Sequence, residues 1–209
     1  MSFLIWNGNK RSLIKQIIPL MKKYETKYCD YYEPFLGSGS VLEENLFSNY
    51  YASDINSQLI NCHKCIKDNS ENLLKKLKSL SYDTSKEAFN FRLQLFNKMK
   101  RLNIHNVDTA ALFIYINRTA YRGFYSEDAE GNVKTSYGYH KNKIYDAEKI
   151  TYMSYLYNKH NVVFSTRSYD EINYSDNAFI YLDPHTTLLS TCMIKVDSIM
   201  KSLENFWTR

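Results

Sequence analysis

Apolar residues recur every three or four positions over residues 10–24, where Leu13, Ile14, Ile17, Ile18 and Met21 would share one side of a helix starting near Ser12. Cys29 to Phe35 then forms a Tyr-rich run of strand length, followed by Gly37-Ser38-Gly39-Ser40 and a helically spaced stretch from Val41 to Leu46. Asn49 to Ser53 predicts a short strand stopping at Asp54, and Asn56 opens an apolar-periodic run through Ile66. This is the opening of an α/β fold. From about residue 60 to 116 the signal is almost wholly helical, including Glu71–Leu80 and Ser85–Lys100. Residues 118–142 turn polar, glycine-bearing and Tyr-rich, and the cluster at 127–132 predicts a hairpin turn between short arms, so this stretch reads as an insert. Strand-like runs return at Asn161–Thr166 and Ala178–Leu182, the second leading into Asp183-Pro184.

A chain of 209 residues can build one domain, or a core domain carrying a sizeable insert. Hydrophobic residues at 44% and charged residues at 23% exclude a disordered or fibrous class. No apolar run approaches the ~20 residues of a membrane span, and the expectation is a soluble, intracellular protein. Cys29, Cys62, Cys65 and Cys192 make no disulfide framework, and Cys62-x-x-Cys65 lacks a second pair at zinc spacing. Two small residues on a helix, and no metal site, are expected there. The net charge of +5 is unevenly placed: residues 61–160 hold 17 Lys and Arg against 10 Asp and Glu, while residues 1–60 are balanced. A basic middle suits a nucleic-acid backbone and equally a solvated, Lys-rich helical face.

In α/β folds a ligand binds at the carboxyl ends of the strands, where a glycine turn admits it to the backbone and an acid ending the next strand takes ribose hydroxyls. Gly37 and Gly39 supply such a turn and Asp54 such an acid. These features serve a nicotinamide cofactor or S-adenosylmethionine alike. The surrounding residues are more specific. Trp6-Asn7-Gly8-Asn9-Lys10, Glu33-Pro34-Phe35-Leu36-Gly37-Ser38-Gly39-Ser40-Val41 and Asp54-Ile55-Asn56 occur in order, followed by Asn117-Arg118, Gly123, Gly131-Asn132-Val133 and Tyr137-Gly138-Tyr139-His140-Lys141. In these segments the chain resembles the Dam-like DNA adenine N6-methyltransferases over residues 3 to 184.

The resemblance implies a Rossmann-like parallel sheet, C-terminally incomplete, with a helical and hairpin DNA-recognition insert. It divides the chain into residues 1–60 as the first part of the core, 61–160 as the insert, 161–184 as core strands and 185–209 as a tail. It also implies S-adenosyl-L-methionine as methyl donor, double-stranded DNA as partner, and Trp6, Lys10, Gly37, Gly39, Asp54 and Asp183 as donor-binding residues. The chemistry fits: Lys10 suits the donor's carboxylate, Asp54 its ribose, and the face of Trp6 its sulfonium. Asn117, Arg118, Tyr121, Arg122 and Lys134 are the DNA-facing candidates, although acidic residues at 127–130 match a phosphate backbone poorly.

Adenine's exocyclic amine is a poor nucleophile, so a catalyst must hold the base outside the duplex and accept hydrogen bonds from the amine. The family's D-P-P-Y segment does this with an Asp carboxylate, a Pro carbonyl and a Tyr platform. Here it reads Asp183-Pro184-His185-Thr186, which keeps the catalytic candidates Asp183 and Pro184 but loses the platform. Codons for His185-Thr186-Thr187, started one base earlier, permit Pro-Tyr-Tyr, and the same shift forces Asp at the position of Ile194. The expectation is a frameshift that leaves residues 185–209 without an evolved fold, the strand before Asp183 as an unprotected edge, and the chain inactive. The rival is a catalytically silent protein that binds DNA or a partner.

Overall fold

The computed structural model describes residues 3–6, 8, 10–44, 46–138, 144–184 and, as backbone only, 192–195. Its contacts divide into two compact units, Lys10–Ile55 with Lys159–Arg209, and Met1–Asn9 with Asn56–Asn158.

The first unit is a sheet. Strand β1 (Asp30–Glu33) lies at its middle and pairs in parallel with β2 (Asn49–Asp54) and β4 (Ala178–Leu182), while β3 (Val163–Thr166) pairs in parallel outside β2. Because side chains alternate across a strand, Tyr31 and Tyr32 face opposite sides and each organises an aromatic layer. On one face Phe47 stacks on Tyr31 at 5.3 Å and on Phe179 at 5.1 Å between ring centroids. On the other, Tyr32 stacks on Tyr51 at 4.7 Å and meets Tyr174 edge-on. These cross-strand contacts lock the register, since a slip of one residue would exchange the two faces.

Helix α1 (Ile14–Lys22) buries Ile17 and Met21 from the expected apolar set. Ser12 does not cap it: Lys10–Ser12 forms a separate 3-10 turn, and Leu13 precedes the helix without a side-chain cap. The helix expected over 41–46 is reduced to a 3-10 turn at Leu42–Glu44. Phe47 is the reason. Its ring forms a three-ring cluster with Tyr31 and Phe179, and its amide donates to the Tyr50 hydroxyl at 2.6 Å, contacts that a helix continued to residue 46 would not serve. A second correction concerns β4, expected to end as an open edge: Cys192–Lys195 forms an antiparallel strand, β5, along it. The other residues of the 185–209 tail lie outside those described.

The second unit is helical. Asn56 caps α2 (Ser57–Asp68) by accepting from the amides of Gln58 and Leu59, and Ser85 caps α4 (Lys86–Arg101) by accepting from Ala88. Helix α3 (Ser70–Ser81) lies between them in sequence, and an Asn106–Thr109 capping box starts α5 (Val107–Thr119). Ten of the thirteen residues of α5 are buried, so it is the central helix of this unit, apolar on nearly all sides. Cys62 and Cys65 lie buried on α2 as two small helical residues. Helix α6 (Ala147–Lys159) was not expected, yet Ile150, Met153, Leu156 and Tyr157 form its buried side at helical spacing. The hairpin is present as bridges Ala120↔Tyr137 and Glu127↔Val133, with Gly131 at φ 78° in the turn. No helix among the described residues is long and apolar enough to cross a membrane.

Asn117 clamps the N-terminal segment to this unit. Its side-chain oxygen accepts from the Ile5 amide at 2.8 Å, and its amide nitrogen donates to Ile5 O at 2.8 Å and Gly123 O at 3.1 Å. Asn117→Ala is expected to cost about 2–4 kcal/mol, since two backbone carbonyls and one amide lose a buried partner. Urea denaturation checks this, and a loss below about 0.5 kcal/mol would show that water replaces the clamp without penalty.

Candidate functional site

The carboxyl edge of the sheet gathers three acids from adjacent strands, with Glu33 ending β1, Asp54 ending β2 and Asp183 following β4. Each is held differently. Asp54 Oδ2 accepts from the Gly37 amide at 3.1 Å, which fastens the glycine turn to the neighbouring strand; Leu36 N adds a bond to Ser53 O at 2.9 Å. Gly37 and Gly39 adopt φ of 51° and 68°, conformations that cost a side-chain-bearing residue energy. Lys10 Nζ lies 2.8 Å from Asp183 Oδ1, a partly buried ion pair between the first motif and the last. Four of the expected donor residues are thus fixed by two contacts, Asp54 with Gly37 and Lys10 with Asp183. Arg11 pairs with Glu43 at 3.2 Å beside them.

Glu33 is a site residue that motif reading passed over. It is 3% exposed, and the buried Tyr31 hydroxyl donates to its Oε2 at 2.9 Å. Burial pushes its carboxyl up from 4.5 to about 8, with Asp183 and Glu43 adding repulsion while the bonds from Tyr31 and the Leu42 amide oppose the rise. Glu33 is therefore mostly a neutral acid at pH 7. The signal available in sequence was its place at the end of a strand with uncharged neighbours on both sides, Tyr32 and Pro34.

Trp6 belongs to the helical unit, where its ring lies 5.7 Å from that of Tyr125 and 6.2 Å from that of Phe113. Tyr125 is in turn hydrogen-bonded to Glu127, and burial raises its hydroxyl pKa further. The DNA-facing candidates divide. Asn117 is corrected: it is 3% exposed with both amide donors used inside the chain, so it cannot read a base edge. Arg118 is half-buried, and desolvation lowers its guanidinium pKa while Asp146 opposes the shift. Tyr121, Arg122 and Lys134 are exposed. Arg122 sits in the left-handed region at φ 55° with its guanidinium 5.3 Å from the Tyr121 ring. Gly138 makes that placement possible, because a Cβ there would come within 2.7 Å of the Tyr121 backbone.

The acidic turn at 127–130 also has an explanation. Lys100 Nζ pairs with Glu127 at 2.6 Å and donates to Gly131 O, while Arg101 donates to Asn132 Oδ1 at 2.6 Å. Two cations of α4 are thereby engaged in holding the hairpin.

A raised carboxyl makes stability depend on pH with a definite sign. The Glu33 contribution is fully present below 4.5, where the unfolded acid also carries its proton, and is lost as pH rises to about 8. Glu33→Gln should therefore lie close to the parent near pH 5 and gain on it by a few kcal/mol near pH 8. Urea midpoints at both pH values check this, and an unchanged pH slope in the variant would remove Glu33 as the titrating group.

Residues 6–190 match the family model described as D12 class N6 adenine-specific DNA methyltransferase. The chain is 31% identical over 186 residues to the type II methyltransferase M1.LlaDCHI of Lactococcus lactis subsp. cremoris, covering 87% of this chain and 64% of that protein. It is 31% identical over 196 residues to M.MjaIII of Methanocaldococcus jannaschii, covering 87% and 68%. With the DNA adenine methylase of Escherichia coli K12 it shares 29% identity over 194 residues, covering 90% and 66%. The chain thus spans about two thirds of the length of these relatives. With that match over most of its length, and with the glycine turn and strand-end acids where the motifs put them, the chain belongs to the D12 class N6 adenine-specific DNA methyltransferase family.

Proposed function

We propose that the sheet unit binds S-adenosyl-L-methionine, that the helical unit meets double-stranded DNA, and that the pair serves adenine N6 methylation. The observation that carries this reading is the Lys10–Asp183 ion pair, which joins the first and last motifs at the strand end where Asp54 closes the glycine turn. The residues suit such a donor. The backbone at Gly37 and Gly39 allows close approach, Asp54 brings a carboxylate to the strand end as the partner for ribose hydroxyls, and Lys10 supplies a cation for the amino-acid carboxylate. Trp6, the remaining donor candidate, lies in the helical unit against Phe113 and Tyr125 and is not counted in this set. When bound, the donor supplies an electrophilic methyl group.

The chain's own part in transfer is to present acceptors to the adenine amine. The Asp183 carboxylate and the Pro184 carbonyl would accept its two N–H bonds, returning electron density to nitrogen. Asp183 must exchange some of its contact with Lys10 for that of the amine. A flipped base also needs a flat partner, and His185-Thr186 replaces the family's Pro-Tyr at that point. We therefore read this chain as able to bind the donor and DNA while transferring methyl groups poorly. Residues 185 and 186 lie outside those described.

DNA contact rests on the exposed Tyr121, Arg122 and Lys134, with Arg118 beside Asp146 as a weaker candidate. Cations tied to the hairpin, Lys100 and Arg101, are left out of this surface.

Three measurements separate these parts. In calorimetry Lys10→Ala and Asp54→Ala should each weaken donor binding about tenfold or more, a change of ~1.4 kcal/mol. Equal affinity in both variants would remove the donor site from these residues. In anisotropy titrations over a range of salt, Arg122→Ala and Lys134→Ala should each reduce the salt slope by about one, and an unchanged slope would take them off the DNA surface. Tritium transfer to adenine-containing duplex should be negligible for this chain and restored in a gene with one base inserted before codon 185 and its natural downstream sequence. Equal turnover by both would end the reading of the altered motif, and inactivity of both would favour a silent binding protein.

A further inference from the structure

Helix α4 has two unlike sides. One buries Phe89 and Phe96 and ties Asn97, Lys100 and Arg101 to the hairpin. The other carries Glu87, Phe91, Leu95, Lys98 and Leu102 at spacings of four, four, three and four, which is a single helical stripe. Its apolar members are open: Phe91 is 67% exposed, Leu95 38% and Leu102 62%, with Tyr82 at 79% just before the helix. Aromatic and aliphatic residues exposed together along one stripe leave apolar area in water that a partner would remove.

We propose that this outer face is a self-association surface, on which two copies of the chain pack their α4 helices antiparallel. The stripe is complementary to its own reverse. With a two-fold axis at the level of residue 93, Phe91 of each copy faces Leu95 of the other. Glu87 comes within one residue of Lys98 across the axis. An acidic first turn and a basic last turn favour this direction, whereas a parallel pair would set Glu87 against Glu87 and Lys98 against Lys98. Glu87 and Lys98 are available for the contact, because neither enters an ion pair within the chain among the described residues. One helix face covers less than the ~800 Å² per partner of a standard stable interface, so the association is weak and concentration-dependent. Its apolar centre persists in salt, and the charged flanks weaken.

Sedimentation velocity on the full chain, from about 1 µM to about 1 mM, measures it in the range where such interfaces associate. Reductant is needed because Cys29 is exposed. The parent should show a rising weight-average mass, and Phe91→Glu should weaken association at least tenfold with an unchanged circular dichroism spectrum. Glu87→Lys and Lys98→Glu should each weaken it severalfold, and the doubly exchanged chain should regain it. A parent that stays monomeric throughout overturns the proposal, as does association indifferent to Phe91→Glu. Failure of the double exchange to restore it overturns the antiparallel arrangement.

Discussion

Three carboxyl groups ending adjacent strands cannot all remain charged and dry, and the architecture of the sheet unit follows from how that conflict is resolved. Parallel pairing places Glu33, Asp54 and Asp183 on one edge. In a low-dielectric setting each charge needs its own counterpart. Asp54 obtains a backbone amide from the glycine turn, Asp183 obtains Lys10, and Glu33 retains a proton. These solutions explain otherwise separate features of the sequence. The turn must contain residues free to take positive φ so that the Gly37 amide can reach Asp54, and a cation must precede α1. Tyr31 must place a hydroxyl beneath Glu33.

The same reasoning changes the meaning of charge in the helical unit. A net surplus of cations over residues 61–160 suggests an anion-binding surface, but a sum does not say which cations are free. Lys100 and Arg101 hold the hairpin turn, and Lys76 pairs with Asp108 at 2.7 Å. What remains exposed on the hairpin arms is a smaller set, Arg122 and Lys134, placed beside the exposed Tyr121. Residues that looked like a defect in a DNA-binding surface, Glu127 and its acidic neighbours, are part of the brace that shapes it.

Strands and the starts of two helical runs were legible in the sequence because their causes are local, whereas Ser12 does not cap the first helix. Tyr and β-branched runs marked β1 to β4, and Asn56 and Ser85 stood one residue before the helices they cap. Features set by distant packing were not legible. The shortening of 41–46 to one turn depends on Phe47 finding Tyr31 and Phe179, and β5 depends on an edge to which it is joined only through the intervening residues after Leu182. Asn117 shows the same limit at the site. Its place beside Arg118 in a motif suggested DNA contact, whereas its burial and three bonds to Ile5 and Gly123 are properties of the folded unit. Helix α6 has its signal in the spacing of Ile150, Met153, Leu156 and Tyr157, with polar residues and Tyr between them diluting the apolar pattern.

The order of residues along the chain also separates two tasks that the family combines. Lys10, Gly37, Asp54 and Asp183, proposed to hold the donor, all lie at or before Asp183, and their geometry is set by the sheet and the glycine turn. The group that should hold the base in the family lies after Pro184, where this chain has His185 and Thr186. Altering that second position leaves the strand-end charges, the turn and the Lys10 pair intact, so donor recognition need not fall with it. On the proposed reading, what is lost is orientation. Holding reactants in line is worth about 7–11 kcal/mol of a barrier, more than any one contact to the amine supplies. On that reading, acceptors retained at Asp183 and Pro184 would not compensate for a missing platform, because they would act only on a base already held against them.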